Sequence, residues 1–438
     1  MTRTLNSFKW LLKKGEHTIH CPHVSLTEWT DGKPPLFEGS GRFILKDSGD
    51  DIRFELDVKW TSTTKWMSAL RRCQEEPYDP QTALRLCGTD YRGTEWNAGW
   101  IRPRAGSIWN DNLQLFGQCA GLSTQVRQKE PQGGVELAYS PAPDVPFSEV
   151  MTTTTHLGDS RVGTKQSGGR QRLELLGSVV EVVTEPWTGE LSIYASASEH
   201  LRHPYLENWL SEPLRALHGQ LVFPRLVVRN FDDGRAMVSV RRVPNWKTSM
   251  GGCASQLKYR SASEFWAFYS AYLEYVALHR DKNGDPGFEA NELTRLHDEV
   301  IQARMAGSTW VIALCVASAI EGIVKLDPDF VSTAAEVAED QFLRARNLVW
   351  DMENGPVRNR LLNSLSGLNR ASPRQYLKNL ERGGKISKSQ FDAWDKVRNV
   401  VAHGNLFEPW ETPEERERLT ALVELFYRLT GIRIGYFT

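Results

Sequence analysis

Apolar and polar positions alternate in short runs along the first half of the chain, and along the second half the apolar spacing becomes helical. From about residue 40 to residue 243 the runs are Phe43 to Leu45, Ile52 to Trp60, Leu113 to Phe116, Leu173 to Val183 and Leu191 to Ala195. Gly, Pro, Asp and Thr bound them, which predicts strands joined by turns. The clearest hairpin is QLVFPRLVVRN, FDDGR, AMVSVRRV, in which the Asp-Gly pair supplies the turn. One helix is predicted inside this half, Tyr205 to Leu217, opened by Pro204 and ended by Gly219.

After PNWKTSMGGCASQ the period is helical to the end. SEFWAFYSAYLEYVALHR starts at a capping Ser263 and carries aromatics around most of its circumference, so it is expected to pack between other elements. Further helices are predicted at 288–304, 308–325, 332–352, 356–368, 373–381, 387–403 and 413–430, with short polar connections that favour antiparallel packing. The expected fold is α+β. A β-rich domain, sandwich- or barrel-like, covers residues 1–245; a connecting segment with a helix covers 246–284; an all-α bundle covers 285–438.

Composition narrows the function classes. A chain of 438 residues with 40% hydrophobic content can bury a large core and is long enough for two or three domains. A formal net charge of -1 excludes an evenly basic coat, so any nucleic-acid surface must be local. The six cysteines form no tight framework and suit a reducing cytosol. MTRTLNSFKWLLKK has no apolar core of signal-peptide length. The run Trp310 to Ile320 is too short to span a bilayer and meets Glu321 at once. A soluble, cytoplasmic protein without membrane contact is expected.

The segment DKVRNVVAHGNLFEP, residues 395–409, carries the strongest chemical signal. Val397, Val400 and Val401 form an apolar stripe, while Asn399 and His403, four apart, share another helix face. Arg398 stands about 100° from Asn399, and its long side chain can curl toward an imidazole at the same helix end. Gly404 permits a left-handed cap, which places His403 beside the unpaired carbonyls of the last turn. That negative end stabilises imidazolium and suits proton transfer near neutral pH.

The string from Arg398 through Asn399 to His403 resembles the Arg-Asn-x-x-x-His signature of HEPN domains, many of which are ribonucleases. The arrangement is similar to that of bacterial anti-phage HEPN proteins of the ApeA type, which also carry a β-rich region ahead of the helices. WVIALCVASAIEGIVK resembles the early HEPN helix whose acidic residue, here Glu321, faces the active helix. The resemblance implies an HEPN bundle over residues 285–438 and a metal-independent endoribonuclease that needs no cofactor. It further implies attack by the ribose 2′-hydroxyl on the adjacent phosphorus. His403 would handle the proton, Arg398 would meet the growing negative charge, and Asn399 would orient the phosphate. It also implies a homodimer that pairs two motif helices, an RNA substrate, and a β-rich regulator awaiting a phage-derived trigger in abortive infection. The competing reading is a non-catalytic module that dimerises or binds a nucleotide, with a β-domain that docks a ligand or protein.

Charge near the motif fits an anionic substrate. From Arg344 to Arg398 twelve basic residues face five acids, +7 within a nearly neutral chain, although charged helix faces are also ordinary. His17, His20, Cys21 and His23 are possible metal ligands, but no second ligand pair accompanies them, and ordinary surface or strand is expected. GTKQSGGR, residues 163–170, lacks the Lys-Ser/Thr end of a phosphate loop and is read as a flexible loop. No Gly-x-Ser-x-Gly elbow occurs. Of the fifteen tryptophans, Trp60, Trp66, Trp96, Trp100, Trp109 and Trp187 lie in the β-rich half, as core or as a recognition face.

Overall fold

The computed structural model describes residues 3–29, 34–46, 49, 51–60, 66–109, 112–128, 132–157, 160–184, 189–243, 251–256, 261–280, 284, 286, 291–305, 307–332, 339–368, 372–402 and 412–437. The chain forms two compact units: Met1–Ser211 with Val222–Lys247, and Glu212–Leu221 with Thr248–Thr438.

The first unit is built on β1 (His17–Thr27), β2 (Phe37–Leu45), β3 (Ile52–Trp60), β4 (Leu84–Thr89), β5 (Glu95–Ile101), β6 (Arg104–Trp109), β7 (Asn112–Gln118) and β8 (Gly121–Arg127). It continues through β9 (Gly134–Tyr139), β10 (Glu149–Leu157), β11 (Ser160–Leu175), β12 (Ser178–Thr184), β13 (Leu191–Ser196), β14 (Leu226–Asn230) and β15 (Arg235–Arg241). These strands make one 15-stranded sheet in the order β10-β11-β12-β13-β9-β14-β15-β8-β5-β4-β1-β2-β3-β7-β6. β5 joins β8 through the single pair Asn97 and Ser123. A twisted ladder this long must curl. Phe37, Phe43 and Leu56 accordingly share one core with Leu226, Val238 and Val240 from distant strands. The expected β-rich unit is thus one large antiparallel sheet whose hydrogen-bonded order, among the described residues, runs from β10 to β6.

The predicted hairpin is β14 and β15, with Gly234 at φ 81° in the turn. The run Leu173 to Val183 is instead two strands. Leu176 and Gly177, at φ 52° and 75°, make a tight turn inside it; apolar residues run close up to the turn on both sides, and a leucine occupies one of its two positive-φ positions. GTKQSGGR is a correction: its backbone is part of β11, paired with β10, and is not a loop. Backbone pairing suffices to hold a glycine-rich strand that side-chain propensity disfavours. Helix α1 (Trp66–Glu75) is not predicted, and α2 (Leu206–His218) matches the predicted helix. Glu207 on α2 is buried and accepts from Arg229 Nε at 2.6 Å and Arg241 Nη2 at 2.7 Å. Burial alone would raise its pKa, but these arginines outweigh it and hold the carboxyl below the usual range.

The second unit takes the rest of α2 and adds α3 (Cys253–Gln256), α4 (Ala262–Leu278), α5 (Glu292–Met305), α6 (Thr309–Lys325) and α7 (Pro328–Ser332). Then follow α8 (Glu339–Trp350), α9 (Pro356–Leu368), α10 (Pro373–Arg382), α11 (Lys388–Ala402) and α12 (Pro413–Arg433). The cap of α4 is Ser261, not Ser263, because only Ser261 has a glutamate at its third helical position, and Glu264 completes a capping box. The helix predicted over 332–352 is α8 at its C-terminal end and the last residue of α7 at its start; residues 333–338 lie outside the described residues. α6, with eight buried apolar residues, is the central helix and packs against α5, α10, α11 and α12.

A buried polar network crosses this unit. Tyr272 OH donates to Thr294 Oγ1, which donates to Glu212 Oε2 at 2.6 Å, and Arg215 Nε lies 3.2 Å from Asp298 Oδ1. Thr430 gives its hydrogen to the Phe426 carbonyl, so His297 Nε2 donates to Thr430 and its tautomer is fixed. Burial drops the His297 pKa to about 3 and lifts that of Asp298 to about 6. Between pH 6.5 and about 3 the unfolded chain holds a His297 proton that the native state lacks, which lowers stability as pH falls. Between about 6 and 3.8 the native state holds an Asp298 proton that the unfolded chain lacks, which acts oppositely. Asp298→Asn removes this compensation. From pH 6 to pH 4 its unfolding free energy, read from urea titrations, should fall more steeply than wild type, by at most about 1.4 kcal/mol per pH unit. Equal slopes would show that Asp298 does not take up the proton.

Candidate active site on helix α11

Helix α11 is opened by a reciprocal cap: Ser387 Oγ accepts from the Gln390 N–H, and Gln390 Oε1 accepts from the Ser387 N–H. Phe391, Trp394 and Val397 recur every third residue and are buried. This stripe packs α11 into the bundle against α12, α6 and α10, and two contacts one helical turn apart define its seating on α6. Trp394 Nε1 donates to the Ala317 carbonyl at 3.4 Å, and Arg398 Nε donates to Glu321 Oε1 at 2.7 Å. Both contacts span 77 residues, so α6 and α11 run in the same direction here.

Arg398 is therefore held at a fixed place. Its guanidinium carbon lies 5.6 Å from the Trp394 ring centroid, and the side chain keeps 42% of its surface exposed. Glu321 takes only the Nε hydrogen; the two Nη groups have no partner among the described residues and offer four donors to an oxyanion. Asn399 is exposed on the adjacent face. His403 and Gly404, and with them the expected cap, lie outside the described residues. The structure thus brings together Arg398 and Glu321 and places Asn399 beside them.

Of the basic residues in the window, Arg374 forks onto Asp395 with Nε to Oδ1 at 2.8 Å, and Arg344 Nη2 reaches Asp340 at 2.8 Å. Arg358 lies 4.7 Å over the Trp350 ring. Arg346, Arg360, Arg382, Lys385, Lys388 and Lys396 are exposed, and Arg370 lies outside the described residues. The early histidines do not converge on a site: along β1, Cys21 faces the core while His20 and His23 are exposed, with a bulge between Cys21 and Val24. Burial pushes the Cys21 thiol up to about 12, which disfavours the thiolate that a metal needs. No group of three His, Cys, Asp or Glu is placed to hold a metal among the described residues. No helix among them is long and apolar enough to cross a membrane.

Comparison with family models, with curated proteins and with solved structures gives no match to this chain. The buried Glu212–Thr294–Tyr272 chain and Arg215–Asp298 pair are not predicted from the sequence. One signal for part of it was present: Thr294 and His297 fall on the same stripe as Leu293, Val300 and Ile301.

Proposed function

We propose that this protein is a metal-independent endoribonuclease of the HEPN type, acting in anti-phage defence by abortive infection, with its site completed by a second copy of the chain. The observation that carries the reading is the Arg398 to Glu321 bond. It fixes one guanidinium at the edge of α11, with its Nη donors still available, in the turn before His403. In this reaction the ribose 2′-oxygen bonds to phosphorus and the bond from phosphorus to the 5′-oxygen breaks. One His403 takes the 2′-hydroxyl proton, and the His403 of the other copy gives a proton to the leaving 5′-oxygen. Arg398 faces the charge that gathers on the non-bridging oxygens, Asn399 orients the phosphate, and Glu321 positions Arg398. The β-rich unit restrains the nuclease until a phage-derived trigger arrives.

The test is cleavage of an oligoribonucleotide by the intact chain, purified from resting and from infected bacteria. Cutting should persist in chelator, leave cyclic phosphate ends, and stop when a 2′-deoxy residue stands at the cut site. Absence of cutting from both sources, or its loss in chelator, overturns the proposal. A module that only dimerises would leave the RNA intact.

A further inference from the structure

β3, β7 and β6 end the sheet in that order, and their two faces differ sharply. Phe54, Leu56, Leu113 and Leu115 are buried on the inner face. In the opposite phase the register sets Arg53 beside Gln118, and Phe116 beside both Glu55 and Arg104, on the outer face. Trp100 and Arg102 wall this face, and together these residues line a cleft of about 780 Å³. That volume falls in the range of small-molecule sites, roughly 300–1,000 Å³.

Charge within the cleft is unbalanced. Glu55 is taken by Arg42 at 2.8 Å, and Arg53 is taken by Asp51 at 2.5 Å. Arg102 donates from Nη2 to the Asp79 carbonyl at 2.9 Å, and its buried Nε has no hydrogen-bond partner. Arg104 is exposed and has no ion-pair partner among the described residues. Two guanidiniums are therefore left without carboxylates. Two aromatics accompany them, Trp100 at 43% exposure and Phe116 at 40%, where Trp96 and Phe54 of the same strands' neighbourhood are buried. Trp100 also meets Trp29, with ring centroids 4.5 Å apart. Forked donors match phosphate, and exposed rings match the flat face of a base.

We propose that this cleft binds a nucleoside phosphate, with the phosphate on Arg102 and Arg104 and the base against Trp100 and Phe116. The site lies within the β-rich unit, and its occupancy is read without RNA cleavage, so it stands or falls separately from the nuclease reading. The experiment is calorimetric titration of the full chain with adenosine and guanosine 5′-monophosphates and with inorganic phosphate. Saturable nucleotide binding is expected, with phosphate alone weaker by about tenfold or more. Arg104→Ala and Trp100→Ala, both at exposed positions, should each weaken nucleotide binding by about tenfold or more while keeping the wild-type thermal transition. Arg104→Lys should bind between wild type and Arg104→Ala, because it keeps the charge and loses the fork. Absence of saturable binding up to millimolar nucleotide overturns the proposal, as does phosphate binding as tight as nucleotide or wild-type affinity in both alanine variants.

Discussion

Arg398→Ala is expected to slow RNA cleavage by about 10²–10³-fold, the usual cost of removing one fixed donor from a developing oxyanion. Its effect on folding should be small, since the Arg398 to Glu321 pair is partly exposed and such pairs contribute at most about 1 kcal/mol. The contrast between a large rate loss and an almost unchanged urea midpoint is the signature of a catalytic guanidinium. Glu321 supplies a second readout, because it touches Arg398 and in the proposed reaction would act through it. Glu321→Gln keeps an acceptor oxygen for Nε and should retain most of the activity, whereas Glu321→Ala should fall toward Arg398→Ala. Wild-type cleavage by Arg398→Ala, measured as single-turnover rates on the same oligoribonucleotide, would remove Arg398 from the chemistry.

Trp394→Ala is expected to cost the helical unit about 3–5 kcal/mol, the range for deleting a large aromatic from a packed core. The ring is fully buried, supports the Arg398 guanidinium, and bonds α11 to α6 through the Ala317 carbonyl. Trp394→Phe keeps much of the packing and loses the indole N–H, which should cost about 1 kcal/mol for the hydrogen bond together with a smaller packing loss. Urea unfolding of the intact chain, followed in the transition of the helical unit, checks both. A wild-type midpoint in Trp394→Ala would mean that α11 is not seated on α6 through this residue. These two variants separate two roles on one helix: Trp394 seats α11 on α6, and Arg398, in the proposed reaction, would use that position.

Much of the architecture was legible because period follows burial. Strands buried on one side read as alternation, and helices buried on one stripe read as a 3.6-residue repeat, so the change near residue 244 marks the passage from sheet to helices. Local chemistry was legible too, in the Asp-Gly turn of β14 and β15 and the Gly219 stop after α2. The turn at Leu176 and Gly177 was not, because a leucine at positive φ carries no turn signal of its own. Nor was α1 predicted, although Ala69, Leu70 and Cys73 fall at helical spacing and are buried; ten residues give too few turns for the repeat to stand out among the strands.

By itself, then, the sequence determined the α+β class, the order of its two halves and the presence of Arg398 and Asn399 on one helix, since each depends on residues near one another in the chain. Tertiary structure alone decided that Glu321 meets Arg398 across 77 residues, that Arg102 and Arg104 share a cleft with two exposed aromatics, and that Glu212 is buried and Asp298 mostly so. The reason is physical: helical and strand periods say which face of an element turns inward, but not which other element it meets. That pairing is set by packing between segments distant in sequence.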